Sequence, residues 1–376
     1  MANTNTDALY PEFWFAAFDP LLMGEYGLQN QVSRDTQNLI GRMGDTVNVP
    51  IMPDMGDAND WTPGDAISPT AITQQTAQVI LNKSKSQNFA LTGTELALPA
   101  YDLIEKYGIS LFKSLLRAVN LDLYMELMKT QYYVDALSSL NEDKIVDAKK
   151  QLDLNEVSMD NRILLVGPDD TATLLKLDAF QHSNIAGDSS AIREGMLQRK
   201  FGFDIKQNNI ISKYPPSDVT GAVNLVAGYS SGVSTIVVDG FADSARPVRA
   251  GDMFTISGES GTPYHFVTST TKTAGVTTGI SFTPALTASI ADNDVFTVTP
   301  SRSLVAFTPD AVAFAARAYP ELPAGVGVRS TIGNFMGIPV RVSVFHDGKL
   351  GVVVQADILY GSKLVNEKRS VAIKAA

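Results

Sequence analysis

Between residues 221 and 299 the chain changes character: Thr, Ser, Gly and Val dominate, and helical periodicity disappears. Six short segments read as strands there: Val223–Val226, Thr235–Val238, Met253–Ile256, His265–Ser269, Gly279–Phe282 and Val295–Val298. Short strands at that density, parted by turn residues, predict a small all-β barrel or sandwich. The flanks read differently. Ile210-Ile211 before the stretch and Leu304-Val-Ala-Phe307 after it look like buried strands of one α/β region, so the β unit is expected as an insertion with its ends close together.

After the insertion, Leu304–Phe307 runs into Thr308-Pro-Asp-Ala-Val-Ala-Phe-Ala-Ala-Arg-Ala318. Thr308 suits a helix cap, Pro309 the first helical position and Asp310 the positive end, so a short helix is expected at once after the strand. Two hydrophobic strands, Ile338–Phe345 and Leu350–Leu359, follow. Before the insertion, Glu142–Leu152 reads as a helix, Arg162–Val166 as a buried strand and Thr171–Leu177 as a helix. The longest helical signal covers residues 100–134, where Leu103, Tyr107, Leu111, Leu115, Val119, Leu123 and Leu127 recur every four residues.

Asp45-Thr-Val-Asn-Val-Pro-Ile51 alternates like a strand, Pro53–Thr70 is turn-rich and acidic, and a second alternating strand is expected from Thr76 to Leu91. Two long strands joined by such a loop read as an extended β-hairpin, which on its own is barely stable in water and must lie against something else. Near the start, Trp14, Phe18, Leu21 and Leu22 fall at helical spacing, with Trp14 and Phe18 on one face. That face packs either on its own subunit or, as an arm, on a neighbour.

Charge divides unevenly. Residues 1–93 carry ten acidic and four basic side chains, and the net charge is −10. A dedicated nucleic-acid binder gathers Lys and Arg, so that class is disfavoured. The chain has no cysteine, which removes disulfides, thiolate metal sites and cysteine nucleophiles. No signal-peptide pattern and no run of about 18 apolar residues occurs, so neither secretion nor membrane spanning is expected.

Catalytic motifs are few. Gly228-Tyr-Ser-Ser-Gly232 matches the nucleophile-elbow pattern, with Ser230 as nucleophile and His265 with Asp239 or His346 as nominal partners. The elbow needs a helix after the serine, whereas Val233-Ser-Thr-Ile-Val-Val-Asp239 is β-branched and strand-like, so a hairpin turn is expected. Gly167-Pro-Asp-Asp lies between strand and helix but lacks a Walker lysine. Asp54, Asp57 and Asp60 match no calcium loop, and His182, His265 and His346 are too scattered for a metal site. No enzyme activity, metal or cofactor is expected.

Taken in order, these elements resemble the major capsid proteins of tailed bacteriophages, the α+β HK ninety-seven fold family. The resemblance rests on the hairpin's opening strand Gly44-Asp-Thr-Val-Asn-Val-Pro50, the long helix, Gly195-Met-Leu-Gln-Arg-Lys-Phe-Gly-Phe-Asp-Ile205 and the final strands. Val248-Arg-Ala-Gly-Asp-Met-Phe-Thr-Ile-Ser-Gly258 is similar to a strand of the domain inserted in coat proteins of the short-tailed Salmonella-phage type. It implies an N-terminal arm (1–44), an extended loop (45–93), a spine helix with peripheral domain (94–140), and an axial domain in two parts (141–220 and 300–345). The inserted β domain (221–299) divides that axial domain, and C-terminal strands (346–376) return to the peripheral domain. It further implies pentamers and hexamers in an icosahedral shell around double-stranded DNA, with scaffolding and portal proteins as partners and assembly in the host bacterial cytoplasm. Inter-subunit contacts are then expected at Trp14, Phe18, Val47, Val49 and Trp61. Two alternatives stand beside this reading: an encapsulin-like compartment of the same fold holding an enzyme cargo, and a serine hydrolase using Ser230.

Overall fold

The structure is a computed structural model. It describes residues 27–34, 46–51, 74–91, 108–181, 195, 197, 199–211, 220–241, 248–259, 265–272, 278–299, 302–321, 329–346 and 351–375. The chain opens with strands β1 (Thr46–Ile51), β2 (Gln75–Ile80) and β3 (Lys83–Leu91), then helix α1 (Ile109–Leu127) and β4 (Tyr133–Ala136). Helix α2 (Glu142–Leu154), β5 (Ile163–Val166), short helices α3 (Pro168–Leu174) and α4 (Asp178–Gln181), and β6 (Asp204–Gln207) follow. Next come β7 (Thr220–Val223), β8 (Thr235–Asp239), β9 (Met253–Ile256), β10 (His265–Lys272), β11 (Thr278–Thr283) and β12 (Val295–Thr299). The last strands are β13 (Arg302–Phe307), β14 (Val312–Arg317), β15 (Arg329–Phe335), β16 (Ile338–His346), β17 (Val352–Leu364) and β18 (Ser370–Ala375).

Two compact units divide the chain. The first takes residues 1–19, 33–115 and 312–366, and the second takes 20–32, 116–311 and 367–376.

In the first unit β14, β17, β16 and β15 lie side by side, and β3 pairs with β17 as well. Strand β17 is thirteen residues long and serves three partners: Val352–Asp357 against β16, Val352–Tyr360 against β3, and Leu359–Leu364 against β14. Phe112 of α1 packs on Phe335, ring centres 4.6 Å apart. Arg341 Nε donates to Asp357 Oδ2 at 2.8 Å, and its guanidinium lies 5.1 Å from the Tyr319 ring centre.

Two expectations fail in this unit. The cap signals at Thr308–Asp310 hold only a 3-10 turn, Pro309–Ala311, and Val312–Arg317 is a strand. Its residues are buried through Ala316, with β17 on one side and Ser33 on the other, where Phe314 N donates to Ser33 O at 2.9 Å. Tertiary pairing overrides the helix propensity of its alanines. The return strand Thr76–Leu91 is also two strands. Leu81, fully buried, turns into the core, so β2 stays with β1 while β3 passes to β17.

The second unit is built on a mixed sheet ordered β4, β18, β13, β5, β6. Strand β18 joins β13 antiparallel and β4 parallel, and β5 joins β6 parallel. On one face Leu164, Val166, Leu304, Ala306, Val371 and Ile373 form a core with Ile145, Ala148 and Leu152 of α2. The Asn141 side chain caps α2 by accepting from Lys144 N, a bond type that contributes about 1 kcal/mol. Helix α3 starts before the expected Thr171 because Gly167 caps it and Pro168 takes its first turn. Ile210 and Ile211 are buried, yet they lie in a turn where Asn208 Oδ1 accepts from Ile210 N rather than in a strand.

Strands β7 to β12 close into a barrel in the order β10, β11, β8, β7, β12, β9. Ile236, Val238, Phe254, Ile256, Val267, Ile280, Phe282, Phe296 and Val298 fill it, so the barrel has a hydrophobic core of its own.

Candidate functional site

Strands β1 and β2 form a ribbon with Thr46 opposite Ile80 and Ile51 opposite Gln75. Period-two alternation puts Val47 and Val79 on one face, where they join Leu81, Ala313, Ala315 and Leu359 in a small core. Val47 is 6% exposed, and Val49 packs half-buried at the edge of that core. The other face carries Thr46, Asn48 and Ile80 toward solvent. The ribbon is therefore anchored at one end, and the Ile51–Gln75 end leads into residues outside those described. Trp14, Phe18 and Trp61 also lie outside the described residues, so of the five sequence-derived contact positions only Val47 and Val49 are placed, together on β1.

The elbow motif has no helix. Ser230 is exposed in a turn that leads to strand β8. Gly228 has φ +67 and passes so close to the Ile290 carbonyl that a Cβ would collide with it, which accounts for that glycine by packing. His265 is fully buried, with Nδ1 2.8 Å from Pro284 O and Nε2 2.5 Å from Glu259 Oε2, so both ring nitrogens are engaged away from Ser230. Asp239 lies on β8, and His346 ends β16 in the other unit.

A cleft of about 440 Å³ in the second unit is lined by Leu165, Thr171, Lys206, Gln207, Asn208 and Asn209. Its polar groups are committed locally: Thr171 Oγ1 donates to Gly167 O, Asn208 Oδ1 accepts from Ile210 N, and Lys206 pairs with Asp204. Among the described residues no cluster of metal-ligating side chains occurs, and no helix is long and apolar enough to cross a membrane.

Two buried polar arrangements escaped the sequence reading, one a pair and one a single lysine. Glu259 and His265 pair inside the barrel, and Lys374 sits on β18, an inner strand of the central sheet, almost fully buried. Local alternation concealed Lys374: in Ser370–Ala375 it takes the face opposite Val371 and Ile373, which pack on α2, and that face reads as a solvent face until the barrel covers it.

One unit with a mixed α+β core that carries a barrel, and another with an antiparallel sheet and a root-anchored ribbon, match the phage capsid type of fold. In particular, 92% of this chain matches 89% of a solved chain from Mycobacterium phage Che8, at 13% identity and a TM-score of 0.52. Less similar are a chain from the capsid structure of the cyanophage P-SCSP1u (13% identity, 89% of this chain and 84% of that one, TM-score 0.49) and one from Gordonia phage Cozz (11% identity, 94% and 87%, TM-score 0.49). At such identities the likeness is one of fold, and the Che8 chain carries it. No family model and no curated protein sequence matches the chain.

Proposed function

We propose that this protein is a major capsid protein whose copies assemble into an icosahedral shell around phage double-stranded DNA. The observation that supports this most is the fold, aligned with a phage chain over nearly its whole length. The ribbon β1–β2 fits the reading. A two-stranded ribbon with core only at its root is stabilised when a second surface covers it, and a neighbouring copy in a shell supplies one. In this reading the arm (1–44) and extended loop (45–93) interlock subunits through Trp14, Phe18 and Trp61. Scaffolding and portal proteins guide assembly, which takes place in the bacterial cytoplasm. The net charge of −10 suits a wall that encloses DNA without gripping it.

Electron microscopy of the purified full-length protein tests the proposal. Closed icosahedral particles or their capsomers are expected, and a monodisperse monomer under conditions that include a scaffolding protein would overturn it.

A further inference from the structure

Within the second unit, the inserted barrel meets the central sheet at a buried lysine. Lys374 on β18 is 1% exposed, and its Nζ donates to Gly251 O in the barrel and to Ser303 Oγ on β13, each at 2.8 Å. The same Nζ lies 5.5 Å from the centre of the Phe266 ring on β10, and that ring packs on Tyr133 of β4 at 4.3 Å. Gly251 has φ +91, and a Cβ there would lie 2.8 Å from the Met128 Cβ, so glycine is what lets the barrel loop come this close.

The charged groups around this junction can be named element by element. In the barrel loop, Asp252 is 6% exposed and its Oδ2 accepts from Arg249 N at 2.7 Å; the Arg249 side chain is the other charge there. On β4, Asp135 is the register partner of Lys374, exposed, with Oδ1 accepting from Leu137 N. At the end of α1, beside Met128, Glu126 and Lys129 pair with each other at 2.7 Å. On β10, His265 is turned inward to Glu259.

We propose that seating the barrel on the sheet is linked to loss of the Lys374 proton, so that docking tightens as the medium becomes alkaline. A neutral amine has two N–H bonds, and two neutral acceptors receive them, Gly251 O and Ser303 Oγ. Among the described residues, the third N–H of an ammonium is left to the Phe266 ring face and the field of Asp252. Burial pushes the Lys374 ammonium down from 10.5 to about 8, with Asp252 opposing the shift. The sign follows from proton counting. Between about 8 and 10.5 the docked form holds fewer protons than an undocked lysine in water, so docking gains with rising pH through that window. From pH 7 to pH 9 the gain is roughly tenfold in the docking equilibrium.

The chain has no cysteine, so Met128→Cys gives a single thiol at the junction. In the full-length protein, its labelling rate divided by that of a free model thiol at the same pH measures the open fraction. This ratio is expected to fall about tenfold from pH 7 to pH 9, and to become flat when Lys374→Met is added. Asp252→Asn retains the lysine and removes the charge that favours the ammonium, so it is expected to move the transition to lower pH. A flat ratio with Lys374 present, an unchanged slope without it, or no displacement in Asp252→Asn would each overturn the proposal.

Discussion

His265 Nε2 lies 2.5 Å from Glu259 Oε2, and neither side chain is exposed. The other imidazole nitrogen, Nδ1, faces the carbonyl of Pro284, which can only accept, so Nδ1 carries hydrogen. Nε2 and the carboxyl oxygen are hydrogen-bonded to each other. The second carboxyl oxygen accepts from Thr287 Oγ1 at 2.7 Å and from the backbone N–H groups of Thr287 and Ala288. The dyad ties the loop after β9 to the loop after β11.

Burial pushes the Glu259 carboxyl up, but its hydrogen bonds to Thr287 and His265 outweigh this and hold it below its ordinary 4.5. A depressed acid contributes its stability above the unfolded value and loses it as pH falls through the lower folded value. Acidification of the full-length protein is thus expected to erode the barrel's stability below pH 4.5, read as a falling denaturant midpoint with Phe254 and Phe282 next to His265 as local reporters. Glu259→Gln is expected to cost about 3–5 kcal/mol in denaturant unfolding, since it leaves half of a buried pair. A cost near zero would show that the pair is dispensable.

Val47 and the arm aromatics are expected to fail differently. Val47→Ala removes methyls from a buried position beside Val79 and Leu81, and a loss of about 1–3 kcal/mol of subunit stability is expected by chemical denaturation. Trp14→Ala with Phe18→Ala is expected to leave the subunit's melting almost unchanged and to raise the concentration needed for assembly, measured by light scattering. A subunit that melts much earlier yet assembles at the usual concentration would place those aromatics in its own core.

Replacing Pro53–Thr70 by a short turn removes none of Val47, Val79 or Leu81, so the ribbon keeps its root. Circular dichroism is expected to show a folded, soluble subunit, while sedimentation shows few or no closed particles. Shells of wild-type yield and stability would remove the loop from assembly.

The barrel closes on itself around its own core, so a fragment spanning residues 220–299 is expected to unfold in one cooperative transition with dispersed β-type amide resonances. An aggregated or shapeless fragment would mean that the Lys374 contact is needed for its fold.

Much of the barrel was legible because most of its strands are short, β-branched or aromatic, and alternate: Ile236 and Val238 face in, as do Phe254 and Ile256, whereas the first strand, expected at Val223–Val226, is Thr220–Val223, whose Gly221 and Ala222 carry no strand signal. Helix α2 was legible from its cap and its Ile145, Ala148, Leu152 stripe. Strand β14 was not, because Val-Ala-Phe-Ala-Ala-Arg reads equally well as helix and only its pairing with β17 decides. The break at Leu81 was hidden for a similar reason: no Gly or Pro marks it between Thr76 and Leu91, while the change of partner depends on chain far away. Both arm aromatics and Trp61 lie outside the described residues, and the buried Lys374 looked like an ordinary surface charge because its partner Gly251 is distant in sequence.

The pairing of β3 with β17 also sets a schedule for synthesis. About 260 residues separate Leu91 from Val352, its partner in the ladder. At ribosomal rates of about 5–20 residues per second, β3 leaves the ribosome roughly 13–50 s before its partner exists. The barrel, made wholly in between, can fold during translation, whereas the first unit cannot complete its sheet until β17 has emerged. Throughout that wait the nascent chain presents a nine-residue strand without its mate, an unpaired edge of the kind that invites pairing with another chain.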